Sequence, residues 1–143
     1  MTKVLIFVYG SLMEGLKGHW MLEQEGVEKV GWGTIQGALV DLGAFPAAYP
    51  PEFCLECIGD IKGELYRVPE NILRLLDRYE GADFHGGLYR RERVVVQAST
   101  HNAHWEDTVW VYFFNEGIAT REGRVKDGDW RAHQVKARDS LTA

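Results

Sequence analysis

The sequence lacks any apolar run that approaches the ~20 residues of a transmembrane helix, and its 143 residues include only two cysteines and four prolines. Two cysteines are too few to hold a small secreted fold together. The first residues, Met1-Thr2-Lys3, lead into a strand pattern instead of a signal peptide. We therefore expect a cytoplasmic protein with no membrane partner, built as a single domain over residues 1–143.

Positive charge is also scarce. Lysine and arginine total 16 against 21 aspartates and glutamates, which gives a net charge of −5. The basic residues are scattered, apart from Arg90, Arg91 and Arg93. A nucleic-acid-binding domain usually presents a concentrated basic patch, so we expect no nucleic-acid partner. A composition of 45% hydrophobic and 26% charged residues is typical of a globular protein.

Two glycine-containing segments resemble nucleotide-binding loops but fail on spacing. In the segment GSLMEGLK, residues 10–17, the lysine comes one place too late for a P-loop, and Gly18 follows it instead of a hydroxyl residue. Ser11 is not flanked by the glycines that a nucleophile elbow needs. The segment GWGTIQG, residues 31–37, lacks the dinucleotide-binding spacing and is interpreted as turn and sheet glycines. No nucleotide cofactor or serine nucleophile is predicted.

A second candidate site is the pair Cys54 and Cys57, which could complete a four-ligand zinc site with His101 and His104. The gap between the two pairs far exceeds zinc-finger spacing. A redox pair would be expected at a helix start, and no such signal follows Cys57. We expect no metal and no cofactor, and keep the zinc site as an alternative hypothesis.

The hydrophobic pattern predicts five strands, at residues 4–9, 34–42, 60–68, 91–98 and 108–115. A short helix is expected after the first strand, because Leu12, Leu16 and Trp20 recur at helical spacing. A second helix should begin at Pro69 and end at Gly81. This order favours an α+β domain built on one curved sheet or partly open barrel.

Glu80 breaks a local rule. It falls in the last turn of the predicted second helix, where the partial negative charge of the unpaired carbonyls favours a cation. The helix dipole contributes ~0.3–1 kcal/mol, less than one pKa unit, so burial would be needed to bring the pKa of Glu80 near neutrality. Glu80 is therefore either an exposed surface glutamate or a desolvated general acid/base.

Five motifs in order resemble the γ-glutamylcyclotransferase-like family, which includes the γ-glutamylamine cyclotransferases and the AIG2-like proteins. They are YGSL at residues 9–12, DLGAFPA at 41–47, LDRYEG at 76–81, YRRERV at 89–94 and GDW at 128–130. The resemblance spans nearly the whole chain and implies a small mixed β-barrel flanked by short helices. Phe45 stands where the family commonly has tyrosine, and Ala48 where a bulkier apolar residue is common.

The resemblance also implies site residues. The turn formed by Tyr9, Gly10, Ser11 and Leu12 would bind a γ-glutamyl group, and Glu80 would be the catalytic acid/base. The further substrate-binding candidates are Phe45, Pro46 and Tyr89. The implied partner is a small γ-glutamyl substrate, bound by a monomer or homodimer.

In the implied reaction the α-amine of the substrate attacks its own γ-carbonyl, closes a five-membered ring and releases an amine and 5-oxoproline. Such intramolecular attack needs no enzyme nucleophile or metal, because effective molarities can reach ~10⁵ M or more. We expect Glu80 to move the protons, and the amides of residues 10–12, at a helix start, to hold a carboxylate or oxyanion. The alternative is a binding or regulatory module that keeps the fold without turnover.

Two neighbouring side chains are left with open roles. The Tyr89 hydroxyl could donate a hydrogen bond to the substrate, or the ring could serve as a packed aromatic. Arg91 could pair with Glu80 or with a substrate carboxylate, or it could be a solvated strand arginine.

Overall fold

The computed structural model describes residues 2–43, 45–53, 58–115 and 123–142. Within these residues there are six β-strands and two α-helices. In chain order they are β1 (Lys3–Val8), β2 (Glu28–Asp41), β3 (Pro46–Tyr49), β4 (Gly59–Pro69), α1 (Glu70–Glu80), β5 (Tyr89–Ser99), β6 (His104–Phe114) and α2 (Trp130–Thr142). Short 3₁₀ helices lie at His19–Leu22 and Pro51–Phe53.

Five of the strands form a barrel in the order β2, β4, β1, β6, β5, which closes because β5 pairs back onto β2. The β1–β6 pairing is parallel and the others are antiparallel, so the barrel is mixed. Strand β3 lies outside the closed ring and pairs with β2. The predicted α+β class and mixed barrel with flanking helices are thus confirmed, although the barrel is closed and not partly open, because β5 pairs with β2.

The closure between β2 and β5 requires a residue without a side chain. Gly33 lies opposite Ala98, and a Cβ atom at position 33 would lie 2.7 Å from Cγ2 of Val96. The interpretation of residues 31–37 as sheet glycines is correct, since all of them belong to β2.

Helix α1 follows the sequence pattern closely. Pro69 caps its start in an extended conformation, and Gly81 ends it in the left-handed region with φ of +70°. The buried residues Ile72, Leu73 and Leu76 face the core. Glu80 is the last residue of the helix, as predicted.

The expected first helix is wrong. Residues 10–18 form turns, in which the Gly18 N–H donates to the Ser11 carbonyl at 2.8 Å, and only the 3₁₀ helix His19–Leu22 follows. Gly15, at a φ of +84°, interrupts any helix here. Trp20 is exposed instead of contributing to an apolar stripe. The turn at residues 9–12 therefore does not stand at a helix start.

The described residues contain no helix that is long and apolar enough to cross a membrane. They also contain no cluster of three or more histidine, cysteine, aspartate or glutamate residues placed to hold a metal ion. Cys54 and Cys57, on which the zinc hypothesis depends, lie outside the described residues.

Candidate active site

A small cavity lies between the end of β1 and the end of α1. Its volume is about 40 Å³. The cavity brings together every site residue put forward from the sequence: Tyr9, Gly10, Ser11, Leu12, Phe45, Pro46, Glu80 and Tyr89. Phe7, Val8 and Tyr112 complete its lining.

The turn after β1 is held close to Pro46 at the start of β3. A Cβ atom at Gly10 would lie 2.8 Å from Cγ of Pro46, so only glycine allows this approach. The turn is closed by the Met13 N–H, which donates to the Gly10 carbonyl at 3.0 Å. Within the described chain, the N–H groups of residues 10, 11 and 12 have no hydrogen-bond partner. Because residues 10–12 also line the cavity, these N–H groups are candidate donors to a ligand.

Glu80 faces this turn from the end of α1. Its side chain is half-buried, and burial of the carboxylate among protein atoms raises its pKa from the ordinary 4.5 to about 7. Glu80 makes no ion pair and no side-chain hydrogen bond with other residues of the described ranges. Its carboxylate can thus exchange a proton near neutral pH without first breaking an internal contact.

Three buried tyrosines surround Glu80, and each donates its hydroxyl proton elsewhere. The acceptors are the Tyr112 carbonyl for Tyr9 at 2.6 Å, the Pro46 carbonyl for Tyr89 at 2.9 Å and Oδ1 of Asp77 for Tyr112 at 2.7 Å. Burial raises the pKa of all three hydroxyls, and the negative charge of Glu80 adds to the shift. The tyrosines are therefore neutral walls of the cavity at physiological pH.

The family model for "Gamma-glutamyl cyclotransferase, AIG2-like" matches residues 6–132 of the chain. The chain belongs to this family. The resemblance stated from the five sequence motifs is confirmed.

Named relatives cover most of the chain. A Vibrio cholerae protein provisionally named gamma-glutamylcyclotransferase is 29% identical over 126 residues, which cover 88% of this chain and 94% of that protein. A Methanocaldococcus jannaschii protein with the same provisional name is 31% identical over 125 residues, which cover 85% and 95%.

Two solved structures share the fold. YkqA from Bacillus subtilis superposes with a TM-score of 0.72 at 27% identity, and the match covers 96% of this chain but only 43% of that longer one. An AIG2-like protein from Mus musculus superposes with a TM-score of 0.67 at 24% identity, and the match covers 86% and 83%.

In this member of the γ-glutamylcyclotransferase-like family, Tyr89 is packed into the wall of the small cavity. Its ring centroid lies 5.3 Å from that of Phe114 and 6.3 Å from that of Phe45. Because its hydroxyl is bound to the Pro46 carbonyl, Tyr89 ties β5 to β3. Both the packed ring and the engaged hydroxyl shape the cavity wall.

The hypothesised pair between Arg91 and Glu80 is wrong. Arg91 instead donates two hydrogen bonds to Asp77, with distances of 2.7 Å from Nε to Oδ1 and 3.1 Å from Nη2 to Oδ2. Its guanidinium also lies 4.2 Å from the ring centre of Trp110. With a side chain only 23% exposed, Arg91 is not a solvated strand arginine either.

Sequence reasoning missed Asp77 and Tyr112. Asp77 lies one turn before Glu80, is only 9% exposed, and accepts hydrogen bonds from Arg91 and Tyr112. These contacts fix the last turn of α1 against β5 and β6, and so fix the place of Glu80. The available signal was a tyrosine within the otherwise apolar end of β6, since a buried hydroxyl requires a partner.

A larger cavity, of about 620 Å³, lies beside Met13, Glu64 and Arg131. It contains none of the candidate site residues named above. The smaller cavity is therefore the one that contains the residues named from the sequence motifs, together with the Glu80 carboxylate of raised pKa.

Proposed function

We propose that the protein is a γ-glutamyl cyclotransferase that converts a γ-glutamyl amine or peptide into 5-oxoproline and a free amine, with Glu80 as the general acid/base. The observation that carries this proposal is the pairing of Glu80, which has a pKa of about 7 and no ionic partner among the described residues, with available backbone donors across the same cavity. A carboxylate with a near-neutral pKa can both accept and return a proton at neutral pH.

The reaction removes two protons from the α-nitrogen, one after the other, and exchanges one C–N bond for another. Glu80 takes a proton from the substrate α-ammonium, and the resulting amine attacks the γ-carbonyl carbon to form the new C–N bond of the ring. The carbonyl oxygen becomes an oxyanion, which N–H donors of residues 10–12 are suited to stabilise. Protonated Glu80 gives its proton to the leaving nitrogen, the intermediate collapses and the original C–N bond breaks. The ring nitrogen gives its second proton to the regenerated Glu80 carboxylate, which passes it to the released amine or to solvent, so that the products are 5-oxoproline and an ammonium ion.

The size of the cavity bears on which part of the substrate enters. A volume of about 40 Å³ has room for roughly three water molecules, which is less than a γ-glutamyl group needs. We therefore expect the lining to move on binding, and Phe45 is the one aromatic residue named in this lining that is not fully buried. The leaving amine then extends out of the cavity, so we expect the γ-glutamyl portion to be recognised more strictly than the amine.

The test is a panel of γ-glutamyl compounds, including dipeptides, glutathione and γ-glutamyl-ε-lysine, assayed for release of 5-oxoproline. Glu80→Gln should fold normally and release no product. The matched control is Glu70→Gln, which changes an exposed glutamate at the other end of the same helix and should retain activity. Full activity in Glu80→Gln would refute the role of Glu80. Tight binding without product over long incubation would instead favour a non-catalytic γ-glutamyl-binding module.

A further inference from the structure

Glu64 is a buried carboxylate outside the candidate active site. It is only 2% exposed. Its Oε1 accepts hydrogen bonds from the Glu14 backbone N–H at 2.8 Å and from the Tyr66 hydroxyl at 2.9 Å, and its Oε2 accepts one from Arg131 at 2.9 Å. Burial alone would raise the pKa of Glu64, but these hydrogen bonds outweigh it and lower the pKa. Glu64 is therefore ionised at neutral pH.

Arg131 also contacts the backbone of Glu14. Its NH2 donates to the Glu14 carbonyl at 2.5 Å as well as to Glu64. One ion pair thus binds both the N–H and the carbonyl of Glu14. Lys29 adds a contact to the side chain of Glu14, at 2.6 Å from Nζ to Oε2.

The first turn of α2 places Arg131 beside Glu64. Asp129 caps the helix by accepting the Ala132 N–H at 3.0 Å, and the Lys62 N–H donates to the Gly128 carbonyl at 2.8 Å. The start of α2 is therefore bound to β4 two residues before Glu64. This gives the GDW motif a role in positioning Arg131.

Glu14 directly follows the segment that borders the candidate active site. Met13, its neighbour, closes the turn through the Gly10 carbonyl, and the Ser11 carbonyl accepts the Gly18 N–H beyond it. Holding the backbone of Glu14 therefore restrains residues 10–13 at their C-terminal end. Backbone donors stabilise developing charge well only when they are fixed before the reaction.

We propose that Glu64 and Arg131 are positioning residues, which hold the backbone of Glu14 and thereby keep the amides of the Tyr9–Leu12 turn in place for the substrate. This inference rests on the proposed cyclotransferase function. Neither residue touches the small cavity, so both act through the turn. A displacement of about 1 Å in a catalytic group can cost ~100-fold in rate.

The test combines amide hydrogen exchange with steady-state kinetics on the Arg131→Met variant. Arg131 is partly exposed and Lys29, with Nζ 3.9 Å from Oε2 of Glu64, still faces the buried carboxylate in this variant, so we expect it to fold with reduced stability. We expect faster exchange of the Glu14 and Gly18 amides, and a fall in kcat/KM of about tenfold to ~100-fold. The pH midpoint of kcat/KM should stay unchanged, because Arg131 does not contact Glu80. Arg131→Lys, which keeps a cationic donor, should recover part of both effects.

The matched control is Lys136→Met on the same helix. Lys136 is 76% exposed and pairs with Asp127 at 3.6 Å, away from the turn, so its loss should change neither exchange nor kinetics. Wild-type exchange in Arg131→Met would overturn the proposal, and so would faster exchange with wild-type kcat/KM. If the wild-type protein turns over no γ-glutamyl compound, the proposed function fails, and the exchange comparison alone decides whether the ion pair holds the turn.

Discussion

Replacing Glu80 by glutamine should stabilise the fold at neutral pH and leave it unchanged in acid. The folded state raises the pKa of Glu80 from 4.5 to about 7, because the ionised carboxylate is desolvated. Below pH 4.5 the carboxyl group is protonated in both the folded and the unfolded state. Between pH 4.5 and 7 the unfolded state ionises first, so the wild-type protein loses stability as the pH rises.

The magnitude follows from the size of the pKa change. Since each pKa unit corresponds to about 1.4 kcal/mol, a pKa raised from 4.5 to about 7 costs the wild-type protein up to roughly 3 kcal/mol above pH 7. Glutamine carries no charge and does not bear this cost. The effect is large beside a typical total stability of ~5–15 kcal/mol.

Urea unfolding of the wild type and Glu80→Gln from pH 4 to pH 8 measures this difference. We expect the two free energies of unfolding to agree near pH 4 and to diverge by up to roughly 3 kcal/mol at pH 8. Glu70→Gln, the exposed control at the start of the same helix, should not be stabilised and should lose only the ~0.3–1 kcal/mol that a negative charge contributes at a helix N-terminus. In parallel, kcat/KM should fall ~50-fold from pH 7 to pH 5 as the base is protonated. A constant difference between the two stability curves would refute the desolvation argument.

Two further substitutions test the surroundings of the cavity. Gly10→Ala drives a methyl group against Pro46, so it should cost ~1–3 kcal/mol of stability, measured by thermal unfolding. It should also weaken the binding of a γ-glutamyl compound, measured by calorimetry. Gly59→Ala is the control and should change neither quantity, because the nearest atom to its added Cβ lies 3.8 Å away. A double-mutant cycle with Arg91→Met and Asp77→Asn should give a coupling energy of ~1–3 kcal/mol by urea unfolding. Additivity within ~0.3 kcal/mol would show that this pair does not anchor α1.

Much of the fold could be predicted because the local sequence patterns favour the same strands and helix that the tertiary packing requires. The central strands are apolar enough to be recognised from composition, and helix α1 carries its start and stop signals at Pro69 and Gly81. Strand β3 was missed because Pro46–Tyr49 is only four residues long and pairs at an edge, where no periodicity can develop. Helix α2 was missed although Asp129 supplies a cap, since its apolar face is weakly marked in sequence.

The candidate site was predictable in its parts but not in its connections. Glu80 and the turn at residues 9–12 stood out as local anomalies and as motifs. Contacts between residues far apart in the chain, such as that between Arg91 and Asp77, depend on how β5 packs against α1, which no local pattern specifies. Glu64 lies in β4, where the alternation of apolar and polar residues predicts an outward-facing charge. The side chain is buried only because the turn at Glu14 and helix α2 pack over it.

The junction between β2 and β5 influences how the barrel assembles. It joins residues about 65 positions apart, such as Gly33 and Ala98, whereas β5 and β6 form a hairpin across a short loop. Distant segments lose more chain entropy on meeting, so the hairpin is expected to form before the ring closes. Until then β2 and β5 each present an unpaired strand edge on which another chain can assemble. By letting those edges meet, Gly33 removes two strand edges on which another chain could assemble.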